Sequence, residues 1–292
     1  AITDNTNDFI VVTDSFGKIK YASPSYLRKL GYEEVELIGT PYEDLLMPES
    51  MGIWQEALNP KEIDLVKELK IELLLHKKDN SPIWTEGSYT MSLDLSQHEI
   101  SEIVMVSREI TERKELEDKL TYLAYHDSLT QLGNRRKLYK DFPMIQNEAI
   151  LSDTSIAIFY LDGDNFKQVN DLHGHDVGDE FLKQFGKSLV KSVRQEDLVV
   201  RLGGDEFLIV FTGLSNSETE RVIQIEQIMN RIKENLDIGW RIRGVHFSPT
   251  VSIGISIYPQ HSECLDDLID LADQALYQAK QSSQYQYCIS DV

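Results

Sequence analysis

Apolar and polar positions follow two different rhythms along this chain. In residues 8–22, DFIVVTDSFGKIKYA, the apolar run Phe9–Thr13 precedes a turn cluster of Asp14, Ser15 and Gly17. The alternating Lys18-Ile19-Lys20-Tyr21 then completes the pattern of a β-hairpin. Short helical pieces are expected over 24–31 and 33–38, the second stopping at Gly39 with Pro41 beyond. Three more strands are expected in ELKIELLLHKKD, IWTEGSYTMSLDLS and EISEIVMVSREIT, with Asn80-Ser81-Pro82 as a turn. Two strands, small helices and three strands in meander order predict a compact α+β module of sensor type.

The rhythm changes near residue 109. REITERKELEDKLTYLAYH is charged and helix-favouring, with Leu116, Leu120 and Leu123 at 4-then-3 spacing. That stripe suits a short parallel coiled coil between two chains, or one helix lying on its own domain. From residue 127 strands and helices alternate. SIAIFYL (155–161) is a continuous apolar strand, and 179–193 has helical periodicity. Leu198–Leu202 and Phe207–Phe211 flank Gly203-Gly204-Asp205-Glu206, a hairpin signal. Thr250–Ile257 is another strand, and Leu265, Leu268, Ile269, Ala272, Ala275, Leu276 and Ala279 line one face of a last helix. The expected architecture is two-domain, α+β then mixed α/β: an antiparallel sheet with short helices (1–108), a linker helix (109–126) and a mixed sheet flanked by helices (127–292).

Composition narrows the partners. Of 292 residues, 41% are hydrophobic and 27% charged, which suits globular domains. The net charge of −20 is spread evenly: residues 1–120 hold 13 basic and 24 acidic side chains, the rest 16 and 25. No basic stripe is present, so a nucleic-acid partner is not expected, and a polyphosphate would need a metal ion, backbone amides and a few lysines. Cys264 and Cys288 are the only cysteines, which fits a reducing cytoplasm and no disulfide framework. No run of about 18 apolar residues occurs. The chain starts at Ala1 inside an apparent folded element, which fits the soluble part of a longer, membrane-anchored protein.

Asp162 closes the strand SIAIFYL, and strand carboxyl ends are where open α/β sheets bind ligands. If the hairpin lies beside that strand, Asp205 and Glu206 join Asp162. Three converging carboxylates need a cation between them, and oxygen-only ligation suits magnesium. Gly203 and Gly204 leave the turn open to a phosphate chain. Taken alone, the hairpin reads more readily as a tight turn with solvated acids. Lys167 offers a point charge for phosphate, and Asn170 and Asp179 offer the mixed groups that a purine edge needs.

Residues 127–292 resemble a GGDEF-family diguanylate cyclase domain. The resemblance rests on DSLTQLGNR (127–135), DGDNFKQVND (162–171), GHDVGD (174–179), RLGGDEF (201–207), VSIGIS (251–256) and ADQALYQAK (272–280). It implies that two GTP molecules, one per domain of a homodimer, are joined into cyclic di-GMP with release of pyrophosphate. It further implies that Asp162, the Gly163 carbonyl, Asp205 and Glu206 hold two magnesium ions per site, or manganese in their place. Asp205 and Glu206 would be the catalytic pair, with Asp205 as base at the attacking hydroxyl. Asn170 and Asp179 would read guanine, Lys167 and Lys280 would hold the β- and γ-phosphates, and Arg201, Gly203 and Gly204 would shape the site. Arg194 and Asp197 form an RxxD separated from Gly203 by five residues, the family's spacing for an inhibitory product site; an exposed helix end with ordinary charges is the plainer reading. Two departures stand out: Gly163 replaces an apolar residue, and Gln284 replaces a phosphate-contacting arginine.

Residues 1–112 resemble a PAS sensor domain, on DSFGKIKYASPSYLRKLGY, ELIGT, HKKDNSPIW and VSREITERK. No cysteine occurs there, which excludes flavin-adduct photochemistry, and His76 and His98 read as solvent-facing. Trp54 and Trp84 read as core or interface. The ligand of this module stays unidentified. The reading that competes with a regulated cyclase is a silent receptor for GTP or cyclic di-GMP that signals through dimer contacts.

Overall fold

The computed structural model describes residues 8–57, 69–94, 99–281 and 287–290. The chain divides into two compact units, Ala1–Lys119 and Leu120–Val292. His98 and the Ser282–Tyr285 run that contains Gln284 lie outside the described residues.

The first unit runs β1 (Phe9–Asp14), β2 (Ile19–Ala22), α1 (Pro24–Leu30), α2 (Glu34–Leu37), a 3₁₀ turn (Tyr42–Leu45), α3 (Pro48–Ala57), β3 (Leu69–His76), β4 (Pro82–Asp94) and β5 (Glu99–Glu109). The five strands form one antiparallel sheet in the order β2-β1-β5-β4-β3. Asp14 closes the first hairpin by accepting from the Phe16 and Lys18 amides, both at 2.9 Å. Ser23 caps α1, Pro24 opens it, and Gly31 ends it in the left-handed region at φ 79°. Alternate residues of β1, Phe9, Val11 and Thr13, are buried; with Leu73, Leu75, Ile83, Tyr89 and Met105 they form the face covered by Tyr26, Tyr42 and Trp54. Trp54 is fully buried against Tyr42 and Tyr89, so it is core, as read from the sequence. His76 is not solvent-facing as expected: it is half-buried, with Nε2 2.6 Å from the Asp44 carbonyl and Nδ1 3.2 Å from the Tyr32 hydroxyl.

Helix α4 (Thr111–Tyr125) follows. Its root is tied to the sheet: Arg113 reaches Glu72 (2.7 Å) and Glu86 (3.1 Å), and the Trp84 amide donates to Thr111 Oγ1 at 3.0 Å. Leu116, Leu120 and Leu123 are 54%, 66% and 48% exposed.

The second unit continues β6 (Gly133–Asn134), α5 (Arg135–Leu151), β7 (Ser155–Gly163), α6 (Phe166–His173), α7 (His175–Lys191), β8 (Leu198–Gly203), β9 (Glu206–Leu214), α8 (Glu218–Asp237), β10 (Trp240–Ile242), β11 (Val245–Phe247), β12 (Val251–Tyr258), α9 (Leu265–Gln281) and β13 (Tyr287–Ile289). Six strands form a mixed sheet in the order β13-β12-β7-β9-β8-β6, and β10 and β11 make a separate ribbon. The central strands read as unbroken apolar runs because both faces are covered. Ala157, Phe159 and Leu161 meet α7 and α8 on one face, and Ile156, Ile158 and Tyr160 meet α5 and α9 on the other. Helix α9 lies directly on β12 at Gly254, where a Cβ would stand 1.9 Å from the Ala272 carbonyl oxygen. That close approach requires glycine. Among the described residues, no helix is long and apolar enough to cross a membrane.

Candidate functional site

The side-chain period of β7 decides where Asp162 points. It falls on the Ile158–Tyr160 face, the face covered by α9, and there its Oδ1 lies 2.7 Å from Lys280 Nζ of that helix. Strand β9 pairs with β7 antiparallel, which sets Glu206 directly opposite Asp162. The hairpin therefore lies beside the first strand, as the sequence reading required. Gly203 (φ 158°) and Gly204 (φ 51°) form the turn, and no atom lies within 4 Å of where either Cβ would stand. The turn is open to a ligand.

Asp205 sits next in the turn, its carbonyl 3.4 Å from the Gly163 amide. Burial pushes its carboxyl above the usual aspartate range, and the charge of Asp162 adds to that, against the pull of Lys280 and Arg201. Glu206 engages the Tyr160 phenol, whose pKa rises through burial first and then through the charges of Glu206 and Asp273. Among the described residues, no group of three or more His, Cys, Asp and Glu side chains is disposed to hold a metal ion. Glu206 shares its sheet face with Asp162, its direct partner, and with Tyr160, its diagonal neighbour across β7 and β9.

Arg201 holds the turn from behind. Nε and Nη2 donate to the Gly204 carbonyl at 3.0 and 2.7 Å, and Nη1 reaches Asp127 Oδ1 at 2.9 Å. Asp127, which the sequence reading quoted in a motif without a role, also accepts from Thr130 N (2.8 Å) and Oγ1 (2.7 Å). Burial works against its ionised form, but the Thr130 donors and the Arg201 guanidinium hold its pKa below the usual range. The Asp127-x-x-Thr130 spacing, an Asp accepting from the residue three ahead, was the sequence signal for this arrangement.

Just past β7, Asn165 turns the chain in the left-handed region (φ 60°) and α6 begins. This helix carries Lys167 and Asn170, and α7 starts at once with Asp179 in its second turn. Lys167 and Asp179 are exposed, and Asn170 is half-buried. A Cβ on the buried Gly178 would stand 2.0 Å from Asn170 Oδ1, so the Asn170 amide rests on the α7 backbone.

Arg194 and Asp197 lie between α7 and β8. They line a hollow of about 100 Å³ together with Thr212, Gln224, Gln227 and Arg231. Asp197 accepts from Arg194 N (2.8 Å), Thr212 N (3.1 Å) and Thr212 Oγ1 (3.5 Å). The Arg194 side chain is 66% exposed, its nearest anion Glu196 at 3.9 Å. Arg231 escaped the sequence reading because it comes from α8, more than 30 positions onward.

Residues 124–286 match the family model "Diguanylate cyclase, GGDEF domain", and residues 7–112 match a PAS domain model. The chain is 35% identical to the diguanylate cyclase DgcM of Escherichia coli over 186 residues, 61% of this chain and 41% of that protein. It is 26% identical to the cyclic di-GMP phosphodiesterase PdeR of E. coli, over 99% of this chain and 42% of that protein. The crystal structure of the GGDEF domain of YfiN from Pseudomonas aeruginosa superposes with a TM-score of 0.52 at 29% identity, covering 56% of this chain and 99% of that one. The chain spans less than half the length of these curated relatives.

Proposed function

The chain belongs to the GGDEF diguanylate cyclase family, with a PAS domain ahead of its GGDEF domain, and from that premise we propose that it condenses two GTP molecules into cyclic di-GMP and pyrophosphate. The observation that carries this reading is the Asp162–Asp205 pair beside an open glycine turn. Two carboxylates whose charges oppose each other, one partly buried, fit a site for divalent cations. Hard oxygen donors, Asp162, the Gly163 carbonyl and Asp205, with Glu206 beside them, suit magnesium or manganese. Such ions, when bound, would neutralise the triphosphate and lower the pKa of the attacking hydroxyl.

The chain's own residues do the positioning. Gly203 and Gly204 let the phosphates approach the backbone. Lys167 and Lys280 hold the β- and γ-phosphates, with Lys280 exchanging Asp162 for substrate oxygens. Asn170 and Asp179 accept from and donate to the guanine edge, so adenine would leave Asp179 without its partners. Asp205 takes the proton of the 3′-hydroxyl in this reading. Each site holds one nucleotide, so turnover needs two chains face to face, and the exposed Leu116–Leu120–Leu123 stripe of α4 is the surface that pairs them. The first unit regulates this pairing through α4, and the Arg194–Asp197 hollow binds product as a brake. Incubation with GTP and Mg²⁺, with products resolved chromatographically, tests the proposal: cyclic di-GMP is expected, and its absence across metals and protein concentrations would sink it.

A further inference from the structure

The catalytic turn is not held by packing. With open space around both glycines, its position depends on the two strand ends and on the fork of Arg201. Arg201 is itself fixed at its other edge by Asp127. Both side chains are largely shielded, 11% exposed for Arg201 and 21% for Asp127, and Asp127 accepts three bonds. A guanidinium held at both edges has one orientation; a lysine could not bridge the two acceptors.

The same carboxylate sits at the end of α4. The Asn134 amide donates to the Ala124 carbonyl (3.0 Å) and the His126 carbonyl (3.4 Å), and the Asp127 amide donates to the Leu132 carbonyl (2.8 Å). Gly133 and Asn134 pair in turn with Val200 and Arg201. His126 stacks on Tyr122 with ring centroids 3.9 Å apart. Bonded groups therefore run from the last turn of α4 to the Gly204 carbonyl, with Asp127 where they meet.

We propose that Asp127 is a positioning residue for the reaction: through Arg201 it sets the Gly204 carbonyl, and with it Asp205, relative to the last turn of α4. The inference rests on the cyclase reading. It assigns Asp127 no contact with substrate. A shift of the α4 end would reach the turn along this path, whereas a carboxylate that merely stops a helix would not transmit it.

The test is a double-mutant cycle in the full chain with Asp127→Asn, Arg201→Met and both together. Asp127→Asn keeps the size and the acceptor oxygen but removes the charge that orients Arg201. Because small misplacements of reacting groups are costly, kcat should fall about tenfold with KM for GTP nearly unchanged. In the Arg201→Met background the Asp127 change should add nothing, since it acts only through that side chain. Hydrogen exchange at the amides of 203–207, which needs no turnover, should rise in each single variant and no further in the double. Additive losses, or unchanged exchange in Asp127→Asn, would overturn the proposal. A wild-type chain that makes no product would defeat the cyclase reading instead, and the exchange cycle would still decide whether Asp127 sets the turn.

Discussion

Replacing Asp197 and replacing Arg194 should have opposite consequences for stability, although both belong to the proposed product site. Asp197 is already engaged: one oxygen caps the turn at the Arg194 amide, and the other holds the Thr212 amide of β9. In Asp197→Ala the Arg194 amide is exposed and turns to water, but the partly buried Thr212 amide loses the carboxylate to which it donates. Leaving such a donor unpaired costs ~1–3 kcal/mol. For a unit of this size that lowers Tm by roughly 4–8 °C, at about 2–4 °C per kcal/mol for a loss near the middle of the range. Arg194→Ala removes an exposed side chain whose one ion-pair contact, at 3.9 Å, is worth at most about 1 kcal/mol and commonly nothing. Its Tm should stay within about 2 °C of wild type. Both variants should lose inhibition by added cyclic di-GMP, so only Arg194→Ala reports the brake without a stability change. Thermal unfolding followed by circular dichroism, beside turnover at rising product concentration, separates the two. An Asp197→Ala protein as stable as wild type would refute the assignment of its bonds, and an Arg194→Ala protein that keeps full product sensitivity would refute the brake.

Three further outcomes are expected. Asp205 has a folded pKa above its unfolded value, so its ionised form penalises the fold above that folded pKa and the penalty fades as pH falls through it; Asp205→Asn should therefore raise Tm at pH 7, lose that gain in acid, and abolish turnover, and a lower Tm at pH 7 would contradict the sign. Gly254→Ala should destabilise the second unit by about 3 kcal/mol or more, because its Cβ would meet backbone at 1.9 and 2.2 Å and lift α9 off β12; unfolding in urea reads this, and an unchanged midpoint would contradict the close packing. Changing Leu116, Leu120 and Leu123 together to serine should leave far-UV circular dichroism intact, since all three are exposed, while sedimentation shows monomer and turnover falls most at low protein concentration; a stable dimer would remove α4 as the pairing surface.

Much of the fold was legible because its strands carry their pattern locally. β7, β9 and β12 are apolar runs broken by turns, and α9 shows its buried face at every helical interval. Helices α5 and α8 were not read: both keep wide polar faces, and α5 carries Pro143, which argues against a helix when seen alone. The β10–β11 ribbon is too short to show a period. The site was legible as residue types in order, yet its arrangement was not. That Lys280 pairs with Asp162 follows from the parity of β7, and that Glu206 engages Tyr160 follows from their diagonal placement across the ladder. The role of Asp127 depends on a partner 74 positions away, which no local pattern reveals.

The central claim is that Asp162 and Asp205, beside the Gly203–Gly204 turn, form the metal-dependent centre of a cyclase. The most direct test is turnover of GTP by the purified chain with Mg²⁺, by the same chain with EDTA, and by Asp162→Asn and Asp205→Asn with Mg²⁺. The account predicts cyclic di-GMP and pyrophosphate from the first alone, at a rate that rises faster than linearly with protein concentration. Product formed in EDTA or by either variant, or no product from the wild type at any concentration, would contradict it.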